Sequence, residues 1–492
     1  MFKKILIANR GEIATRIIVT CREMGLYTIA LYEAPDEGSR HVRIADECVL
    51  LDAPLGFLDQ EAILRIAQET GAEAIHPGYG YLAEEPEFVA ACEAAGIVFV
   101  GPGTAVLQTL RNKIETLARA RAAGFPVVDY APVAFDEGDL KVLAVAADLV
   151  GYPLVVKSCS GGRGSAERLV KTPQFLGTAV HRAQQEAFAV YGNQRVYLEK
   201  AVLPAHQIGV QILADKHGHI IHLGEREGSL QYSNRKVVEE APAPCLTDDL
   251  RQQIWQAALG IARLFQYENA GTVEFLLDNE GNFYFTEIKS RIQVDHALTE
   301  MMTRINLVEE QLRIAAGEPL RHTQADVRLE GWAMLCRIHA EDPWRRLPSP
   351  GRLRRVRLPG GPEVRVDTYV YSECDVPEKY DSLIAKLTVW GADRGRCLAR
   401  ARRAVEDFQL IGTPTNLPLL QHVLCSAEFA NGRYDTDLLN AEFKCEPQRD
   451  AYYRDLAVIA AMLYVRRNQM FRPSVPVRAL NAWHQDSRRL PE

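Results

Sequence analysis

Short apolar runs alternate with longer amphipathic segments through the first hundred residues. The run "KILIA" predicts a buried strand, "EIATRIIVTCREMG" predicts a helix that ends at a glycine, and "YTIALY" predicts a second strand. The same alternation recurs in "QEAILRIAQETG" with "AEAIHPG", and in "EFVAACEAAG" with "IVFVGP". Helices of this length between short strands are typical of a doubly wound parallel sheet.

The pattern changes twice along the rest of the chain. From residue 151, strands with hairpin signals are mixed with two helices, and from about residue 331 strands predominate. The sequence therefore predicts an α/β and α+β multidomain protein, with an N-terminal doubly wound parallel sheet, a mixed centre and a mostly β C-terminal domain. Beyond about residue 445, "AYYRDLAVIAAMLYVRRNQMF" predicts an amphipathic helix.

Composition limits the class of protein. A chain of 492 residues is too long for one hydrophobic core, so we expect three or four domains. The net charge of −7 gives no general attraction to nucleic acid or to anionic membranes, and no apolar run approaches 18 residues. Ten single cysteines without a Cys-x-x-Cys pair argue against a zinc site and against a disulfide framework. We expect a soluble cytoplasmic protein with no nucleic-acid or membrane partner.

The stretches "GTVEFLLDNEGNFY" and "FTEIKSRIQVDH" predict a hairpin that carries Glu274 and Glu287. If "DNEG" closes a turn with an even loop, both carboxylates fall on one face, directly opposed or diagonal. Strand periodicity adds Phe285 and Lys289 to that face. Two converging carboxylates can hold a divalent cation that binds the phosphates of a nucleotide. The alternatives are a pair of solvent-exposed acids, or an odd loop that separates them.

Two further segments favour a nucleotide site. Lys157 ends the strand "PLVVK" and precedes "SCSGGRG", whose backbone N–H groups can cover phosphates, although many glycine loops are plain turns. Glu199 and Lys200 end "VYLEK", where a backbone segment can meet an adenine edge. The combination of a lysine, a glycine loop, a strand-end Glu-Lys pair and paired acids indicates nucleotide chemistry better than any one of them.

Long motifs carry a family resemblance: "IANRGEIATRI", "AIHPGYGYLAE", "GYPLVVK", "KVVEEAPAP", "TRINLVEEQLRIAAGEPL", "RIHAEDP" with "LPSPG", and "YDSLIAKL". To about residue 440 the chain resembles the biotin carboxylases of the ATP-grasp superfamily. The resemblance implies ATP-dependent carboxylation of biotin by bicarbonate through carboxyphosphate, in a biotin-dependent acyl-CoA or pyruvate carboxylase. It also implies an N-terminal domain (1–112), an ATP-grasp domain (113–330) with a mobile lid at about 130–203, and a C-terminal domain (331–440). A tail (441–492) runs past the resemblance, and its run "LAVIAAMLYV" can either dock on a partner or fold back on its own core.

The resemblance assigns roles to individual residues. The ATP-binding residues would be Lys113, Lys157, Gly162, Gly164, Glu199, Lys200, Gln231 and Leu276. Glu274 and Glu287 would hold Mg²⁺, or Mn²⁺ in its place. Bicarbonate and biotin would be bound by Lys236, Arg291, Gln293, Val294 and Arg337, of which Lys236 also contacts phosphate and Arg337 stabilises the biotin enolate. Alternatively, Arg291 and Arg337 are structural ion-pair partners that do not bind substrate.

Several positions depart from the family pattern. Lys289 stands where the family has an asparagine ligand for the metal, and an ammonium there repels a cation or takes its place. Asp295 stands where the family has a glutamate that deprotonates bicarbonate, and is one methylene shorter. The glycine loop is shorter, and Gln207, Gly209 and Asn234 replace a histidine, a glutamate and another histidine.

These departures leave three hypotheses: a working biotin carboxylase with Asp295 as base, a catalytically impaired paralogue with a structural or regulatory role in a carboxylase complex, and an ATP-grasp ligase with another acceptor. The chain has no Met-Lys-Met sequence for biotin attachment and no room for a carboxyltransferase domain. We therefore expect biotin to arrive on a separate biotin carboxyl carrier protein and the carboxyl group to leave for a carboxyltransferase subunit. By resemblance we also expect a homodimer.

Overall fold

The N-terminal region contains a parallel sheet. The computed structural model describes residues 1–136, 140–160, 168–232, 235–441 and 447–470. The sheet strands are β1 (Lys4–Ile7), β2 (Tyr27–Tyr32), β3 (Glu47–Leu50), β4 (Ala74–His76) and β5 (Val98–Phe99). They lie in the order β3-β2-β1-β4-β5 and all pair in parallel, which confirms the doubly wound sheet.

Helices cover both faces of this sheet. They are α1 (Gly11–Glu23), α2 (Arg40–Ile44), α3 (Gln60–Glu69), α4 (Pro86–Ala94) and α5 (Thr104–Arg111). The next helix, α6 (Lys113–Ala122), packs into a different core through Leu117 and Ala120. Ile5 and Ile7 of β1 pack into one core with Ile17 of α1, whereas Leu6 packs into a second core with Ile63 of α3. Because both faces are buried, the strand is a continuous apolar run instead of an alternating one.

A small three-stranded sheet with its own core follows. Its strands are β6 (Leu154–Ser158), β7 (Arg168–Val170) and β8 (Val196–Lys200), in the order β7-β6-β8, and its helices are α7 (Leu140–Val150) and α8 (Leu176–Tyr191). Phe135, Val156 and Leu198 are among the buried side chains of this core. The unit lies within the segment predicted as a lid, and its mobility stays a prediction.

A large antiparallel sheet of eight strands carries most of the candidate site. Its first five strands are β9 (Ala205–Ala214), β10 (Ile220–Tyr232), β11 (Arg235–Ala241), β12 (Asn269–Asp278) and β13 (Phe283–Lys289). Helices α9 (Asp248–Leu264), α10 (His296–Thr303) and α11 (Leu307–Ala315) accompany them. The same sheet takes in β14 (Trp332–His339), β17 (Val364–Thr368) and β19 (Leu383–Gly391), whose ranges lie beyond residue 331.

The sheet is continuous across the domain boundary predicted at residue 331. β11 pairs with β14, with Val238 opposite Cys336, in the order β13-β12-β9-β10-β11-β14-β19-β17. The other C-terminal strands form two small pairs and are β15 (Gly351–Leu353), β16 (Arg355–Arg357), β18 (Cys374–Val376) and β20 (Gln409–Ile411). The C-terminal helices are α12 (Arg394–Asp407), α13 (Leu417–Cys425), α14 (Ala427–Ala430) and α15 (Leu438–Ala441).

Residues 1–441 form one compact unit and residues 442–492 a second. The second contains the helix α16 (Pro447–Met470), so the helix predicted in the tail is confirmed. Its predicted amphipathic character is wrong, because residues 456–465 are apolar without a break and cover every side of the helix. Ile459 and Leu463 are 53% and 60% exposed. Among the described residues, no helix is long and apolar enough to cross a membrane.

Candidate active site

The turn of the acidic hairpin has an odd number of residues. The N–H of Asp278 donates to the carbonyl of Asn282 at 3.0 Å, and three residues lie between them. If pairing continued without interruption from this turn, Glu274 would lie opposite Thr286, and Glu287 would point to the other face of the sheet. The even loop assumed from the sequence is therefore wrong.

A β-bulge at Thr286 nevertheless brings the two acids together. Phe275 lies opposite Phe285, but the next pair is Glu274 with Glu287, so Thr286 is an extra residue. The Thr286 hydroxyl donates to the Glu274 carbonyl at 3.1 Å. The opposed glutamates are confirmed. The placement of Phe285 beside them is wrong, because the bulge turns this ring into the hydrophobic core with Phe275.

Glu287 lies between two lysines. Its Oε1 is 2.7 Å from Lys289 Nζ, and its Oε2 is 3.5 Å from Lys113 Nζ at the start of α6. Burial alone raises the pKa of this carboxyl, but the charges of Lys113 and Lys289 outweigh burial and hold the pKa well below its usual range. Glu287 is therefore an anion, and Lys289 lies on the same side of the hairpin as the two glutamates, as the sequence predicts.

Glu274 is buried and lies among polar groups from three other segments. Its Oε1 accepts from the Gln293 amide at 2.9 Å and is 3.9 Å from Lys236 Nζ, and its Oε2 accepts from the Gln207 amide at 3.4 Å. A Cβ added at Gly209 would lie 3.4 Å from both carboxylate oxygens. A side chain longer than glycine there would therefore fill the space beside the Glu274 carboxylate.

Lys236 is the cation shared by the buried acids. Its Nζ is 3.5 Å from Glu239, 3.6 Å from Asp295 and 3.9 Å from Glu274. Burial lowers the pKa of this ammonium, but the three carboxylates outweigh burial and raise the pKa above its ordinary value. The aliphatic stem lies directly against Gly228, where an added Cβ would lie 2.6 Å from Cε, so a larger residue at this point would move the ammonium of Lys236.

Arg226 links several residues of the site and was missed in the sequence. Its side chain is 2% exposed, and its NH2 group is 3.1 Å from Asp295 and donates to Gln293 at 2.9 Å and Thr272 at 3.0 Å. Its NH1 group donates to two further side-chain oxygens, those of Gln211 and Thr299. The signal available in the sequence was the charged run "EREG" inside an apolar strand pattern.

Asp295 and Glu239 form a pair of neighbouring carboxyl groups. Burial raises the pKa of Glu239, whereas the charges of Arg226 and Lys236 outweigh burial at Asp295 and hold its pKa well below the usual range. Asp295 is therefore an anion. Glu239, also missed in the sequence, receives two hydrogen bonds from the Arg337 guanidinium at 2.8 and 2.9 Å. Arg337 is therefore held in a fixed orientation by a bidentate pair.

The predicted bicarbonate residues lie on the loop between β13 and α10. Arg291 Nε is 3.3 Å from Glu84, and its NH1 group donates to the carbonyl of Ile292. The Gln293 amide is used at both ends, because it donates to Glu274 and accepts from Arg226. Val294 is partly buried in the turn before α10. Gln293 therefore positions the acids, while its predicted contact with bicarbonate stays a prediction.

The predicted nucleotide residues lie on the small sheet and the adjacent strands. Lys157 Nζ is 2.9 Å from the buried Glu199, and Lys200 donates to the carbonyl oxygens of Gly151 and Tyr152. Gln231 is paired with Lys236 on β10 and β11, and Leu276 is paired with Gln207 on β12 and β9, both partly buried. Gly162, Gly164 and Asn234 lie outside the described residues.

The arrangement suits transfer of a phosphoryl group between anionic partners. Carboxylate oxygens at Glu274 and Glu287 are the donors that Mg²⁺ prefers, so the two residues fit this ion, although the ammonium of Lys289 competes for Glu287. Lys236 and Arg337 supply fixed positive charge where anionic substrates would gather. The fold and the site together define an ATP-grasp ligase.

Comparison with known proteins agrees with this class. Residues 1–107 match the biotin carboxylase N-terminal domain, residues 104–323 the ATP-binding domain of the carbamoyl-phosphate synthase L chain, and residues 335–441 the biotin carboxylase C-terminal domain. A biotin carboxylase from Nostoc sp. is 43% identical over 89% of this chain and 98% of its own. A pyruvate carboxylase subunit from Methanothermobacter thermautotrophicus is 40% identical over 98% of both chains.

A solved structure shows the same fold. The biotin carboxylase domain dimer of the Hydrogenobacter thermophilus 2-oxoglutarate carboxylase, in complex with MgADP, ADP and bicarbonate, superposes with a TM-score of 0.87. It is 40% identical and covers 89% of this chain and 97% of that chain. The chain belongs to the biotin carboxylase family.

Proposed function

We propose that this protein carboxylates biotin with ATP and bicarbonate, and that the biotin is carried on a separate protein. The observation that supports the proposal most directly is Lys236, whose ammonium lies within 4 Å of Glu239, Glu274 and Asp295 on one face of the sheet. A fixed cation at this point can bind the γ-phosphate and then the carboxyphosphate, because both carry negative charge on neighbouring oxygens.

The other residues divide the remaining tasks. Lys113 and Lys157 supply positive charge for the phosphates of ATP. The strand end at Glu199 and Lys200 binds the adenine of ATP. Arg291 presents a planar guanidinium suited to bicarbonate, and Arg337, oriented by Glu239, stabilises the biotin enolate. Asp295, which replaces the family's glutamate, is assigned the proton of bicarbonate; Arg226 and Lys236 keep its carboxylate deprotonated and at the same time make it a weak base. Mg²⁺ held by Glu274 and Glu287 would neutralise charge on the phosphate oxygens.

The alternative of an impaired paralogue has no support in the comparisons, since the chain belongs to a family whose relatives at about 40% identity carry biotin carboxylase and pyruvate carboxylase names. The third hypothesis, an ATP-grasp ligase with another acceptor, is favoured by no contact among the described residues of the site.

A direct assay separates the three hypotheses: ATP hydrolysis is followed with magnesium, bicarbonate and free biotin, each omitted in turn. We expect hydrolysis to require bicarbonate, and carboxybiotin to form. Bicarbonate-independent hydrolysis with a different acceptor would contradict the proposal.

Lys289 should weaken the binding of magnesium. Its ammonium is 2.7 Å from Glu287 Oε1 and competes with a cation for that oxygen. In Lys289→Met we expect the magnesium concentration needed for half-maximal ADP binding to fall about tenfold, which is about 1.4 kcal/mol. Two unit charges about 4 Å apart near a protein surface interact by about 4 kcal/mol. Repulsion between the ammonium and the magnesium ion is therefore large enough to cause the expected change. Titration calorimetry at several magnesium concentrations measures it.

The exposed Lys216 provides the matched control, because Lys216→Met removes the same charge outside the site. An unchanged magnesium requirement in Lys289→Met, with normal binding in the control, would show that the ammonium does not compete for the metal-binding oxygen. A higher requirement in Lys289→Met than in the control would instead assign Lys289 to phosphate binding.

We also propose partners: a biotin carboxyl carrier protein, a second copy of this chain and a carboxyltransferase, all acting in the cytoplasm. The pyruvate carboxylase relative matches 98% of this chain, whereas the Nostoc biotin carboxylase covers 89% of it. The tail is thus shared with a relative that is named as one subunit of a larger enzyme. Residues 456–465 of its helix α16 are apolar on every side, and a helical segment of this kind needs cover from another surface.

Loss of the tail should affect assembly and leave chemistry unchanged. In a variant that ends at residue 441, we expect ATP hydrolysis with free biotin to stay within about twofold of the native rate. The reason is that the site residues all precede this point. Co-purification with the co-expressed carrier and carboxyltransferase should be lost, as measured by size-exclusion chromatography. A lower melting temperature with assembly intact would show that the tail folds onto its own chain instead. Arg454→Ala, on the same helix, is the control for a polar change.

A further inference from the structure

A second cluster of metal-ligand side chains lies on the eight-stranded sheet. His206 of β9, Glu227 of β10 and Cys245, between β11 and α9, each have a ligand atom within 4.8 Å of the other two. His206 is adjacent to Gln207, so their side chains point to opposite faces of β9. Gln207 reaches Glu274 of the active site, whereas His206 Nδ1 is 2.7 Å from Glu227 Oε1. The cluster is therefore on the reverse face of the strand that serves the active site.

Glu227 is a buried acid without a full counter-charge. It is 1% exposed and lies directly opposite the buried Glu240 in the pairing of β10 with β11. Glu240 is neutralised by two hydrogen bonds from the Arg394 guanidinium. Within the described part of the chain, neither a lysine nor an arginine lies within salt-bridge distance of Glu227.

The second oxygen of Glu227 is left without a partner. Oε1 receives the hydroxyl of Ser229 at 2.8 Å and the ring of His206, and the Cys245 thiol interacts with the same carboxylate; Oε2 is buried and receives no well-formed hydrogen bond from a described group. A buried carboxylate oxygen without a donor or a cation is costly. Among the described residues the imidazole of His206 is thus the one basic partner of Glu227, and the poorly satisfied second oxygen leaves a place for a metal cation.

We propose that His206, Glu227 and Cys245 bind one divalent transition-metal ion of the zinc class. The donor set of one nitrogen, one oxygen and one sulfur favours zinc over magnesium or calcium, which take oxygen ligands. Zinc bond lengths of about 2.0–2.3 Å place tetrahedral ligands about 3.3–3.6 Å apart, so a ligand separation of up to 4.8 Å needs a shift of little more than about 1 Å. His206 and Cys245 are only partly buried, which leaves a path for the ion.

Binding exchanges protons for the metal. The ion takes the position of the proton between His206 and Glu227, and the Cys245 thiol gives up its proton to become a thiolate ligand, both protons leaving to solvent. Burial and the neighbouring Glu227 charge raise the pKa of this thiol, and the positive ion offsets both effects. Three protein ligands leave a fourth position for water. The ion would connect β9, β10 and the segment that leads into α9.

This site is independent of the proposed carboxylation, since none of its three residues has a role there. The sequence predicts no zinc site, because its cysteines are single. Cys245 has no cysteine three residues away, and the other two proposed ligands are 18 and 39 positions distant, so the cluster has no local sequence motif. Only the pairing of β9 with β10 brings His206 and Glu227 together, with Glu227 opposite the residue two positions after His206.

The test uses the full-length protein stripped of metal and titrated with Co²⁺, then with Zn²⁺, in buffer that contains excess Mg²⁺. We expect one Co²⁺ per chain with a near-ultraviolet thiolate-to-cobalt charge-transfer band, which Zn²⁺ removes. Cys245→Ser should abolish the band, and His206→Gln should weaken binding at least about tenfold. Cys48→Ser, at an exposed free cysteine outside the cluster, should leave both unchanged. Glu287→Gln should also leave both unchanged, which separates this site from the magnesium site.

Absence of a charge-transfer band in the native protein at twofold excess of Co²⁺ would overturn the proposal, and this result does not depend on any variant. Binding of the same strength in Cys245→Ser and His206→Gln would overturn it too, since the ion would then lie elsewhere. If Cys245→Ser fails to fold, as judged by circular dichroism, the His206→Gln titration decides. A catalytically inactive protein that still shows the band would leave this site intact while contradicting the proposed carboxylation.

Discussion

Replacement of Lys236 by alanine is expected to lower bicarbonate-dependent ATP turnover by about a hundredfold to a thousandfold. Loss of one preorganised group that stabilises charge in a transition state typically costs this much. Here the loss is compounded, because Glu239, Glu274 and Asp295 would then face one another without their shared cation. Initial rates of ADP release, with and without bicarbonate, measure the effect.

The controls separate a catalytic effect from unfolding. Lys216→Ala removes an exposed lysine and should leave turnover unchanged. Lys236→Arg keeps the charge but not the size, and should preserve the melting temperature while turnover stays low, since the stem lies against Gly228. If Lys236→Ala retained more than a third of native turnover with a normal melting temperature, Lys236 would have no part in the chemistry.

The second large effect is expected at Arg226. In Arg226→Met we expect the free energy of unfolding to fall by about 3–5 kcal/mol, the typical cost of removing one partner of a buried ion pair. Asp295 would keep its charge without its closest cation, and the oxygens of Gln293, Thr272, Gln211 and Thr299 would each lose a donor. Urea unfolding followed by tryptophan fluorescence gives the shift in midpoint.

A double variant tests the reason for this loss. Asp295→Asn combined with Arg226→Met removes both charges, so the pair should recover part of the stability that Arg226→Met loses alone. If the losses in free energy of unfolding of the two single variants add in the double variant, the contact with Asp295 contributes little. The destabilisation would then come from the neutral acceptors that lose a donor. Arg226→Lys, which keeps one charge but fewer donors, should fall between the native protein and Arg226→Met.

The sequence predicts the pairing of Glu274 with Glu287 but not the way it is made. Apolar periodicity defines the two strands, and the opposition of the acids is found. The three-residue turn and the bulge at Thr286 have no marker in the residues, since threonine is ordinary in strands. Each alone would have separated the acids, and together they cancel. The error at Phe285 follows directly, because periodicity counts residues and a bulge adds one.

The supporting charges were harder to predict than the residues of the motifs. Lys236, Arg291 and Arg337 lie in segments that resemble a family, and the structure places Lys236 and Arg337 beside the same carboxylate, Glu239. Arg226 lies outside the quoted motifs, and Glu239 lies inside "KVVEEAPAP" but was given no role; both are in strands, where charged residues are usually exposed. Their importance depends on which neighbours the sheet supplies, and the order β9-β10-β11 joins distant parts of the chain. The doubly wound sheet, by contrast, depends on local periodicity, and four of its five strands were predicted; the edge strand β3 was missed.

The continuity of the large sheet bears on how the protein can be divided for study. A recombinant fragment that stopped at residue 330 would leave β11 as an edge strand with unpaired backbone N–H and C=O groups. The complementary fragment would leave β14 with the same unpaired groups. Such open ladders recruit foreign strands and precipitate. Crystallisation or labelling schemes that need a shortened protein should cut after residue 441, where compact units separate, and leave the segment around residue 331 unbroken.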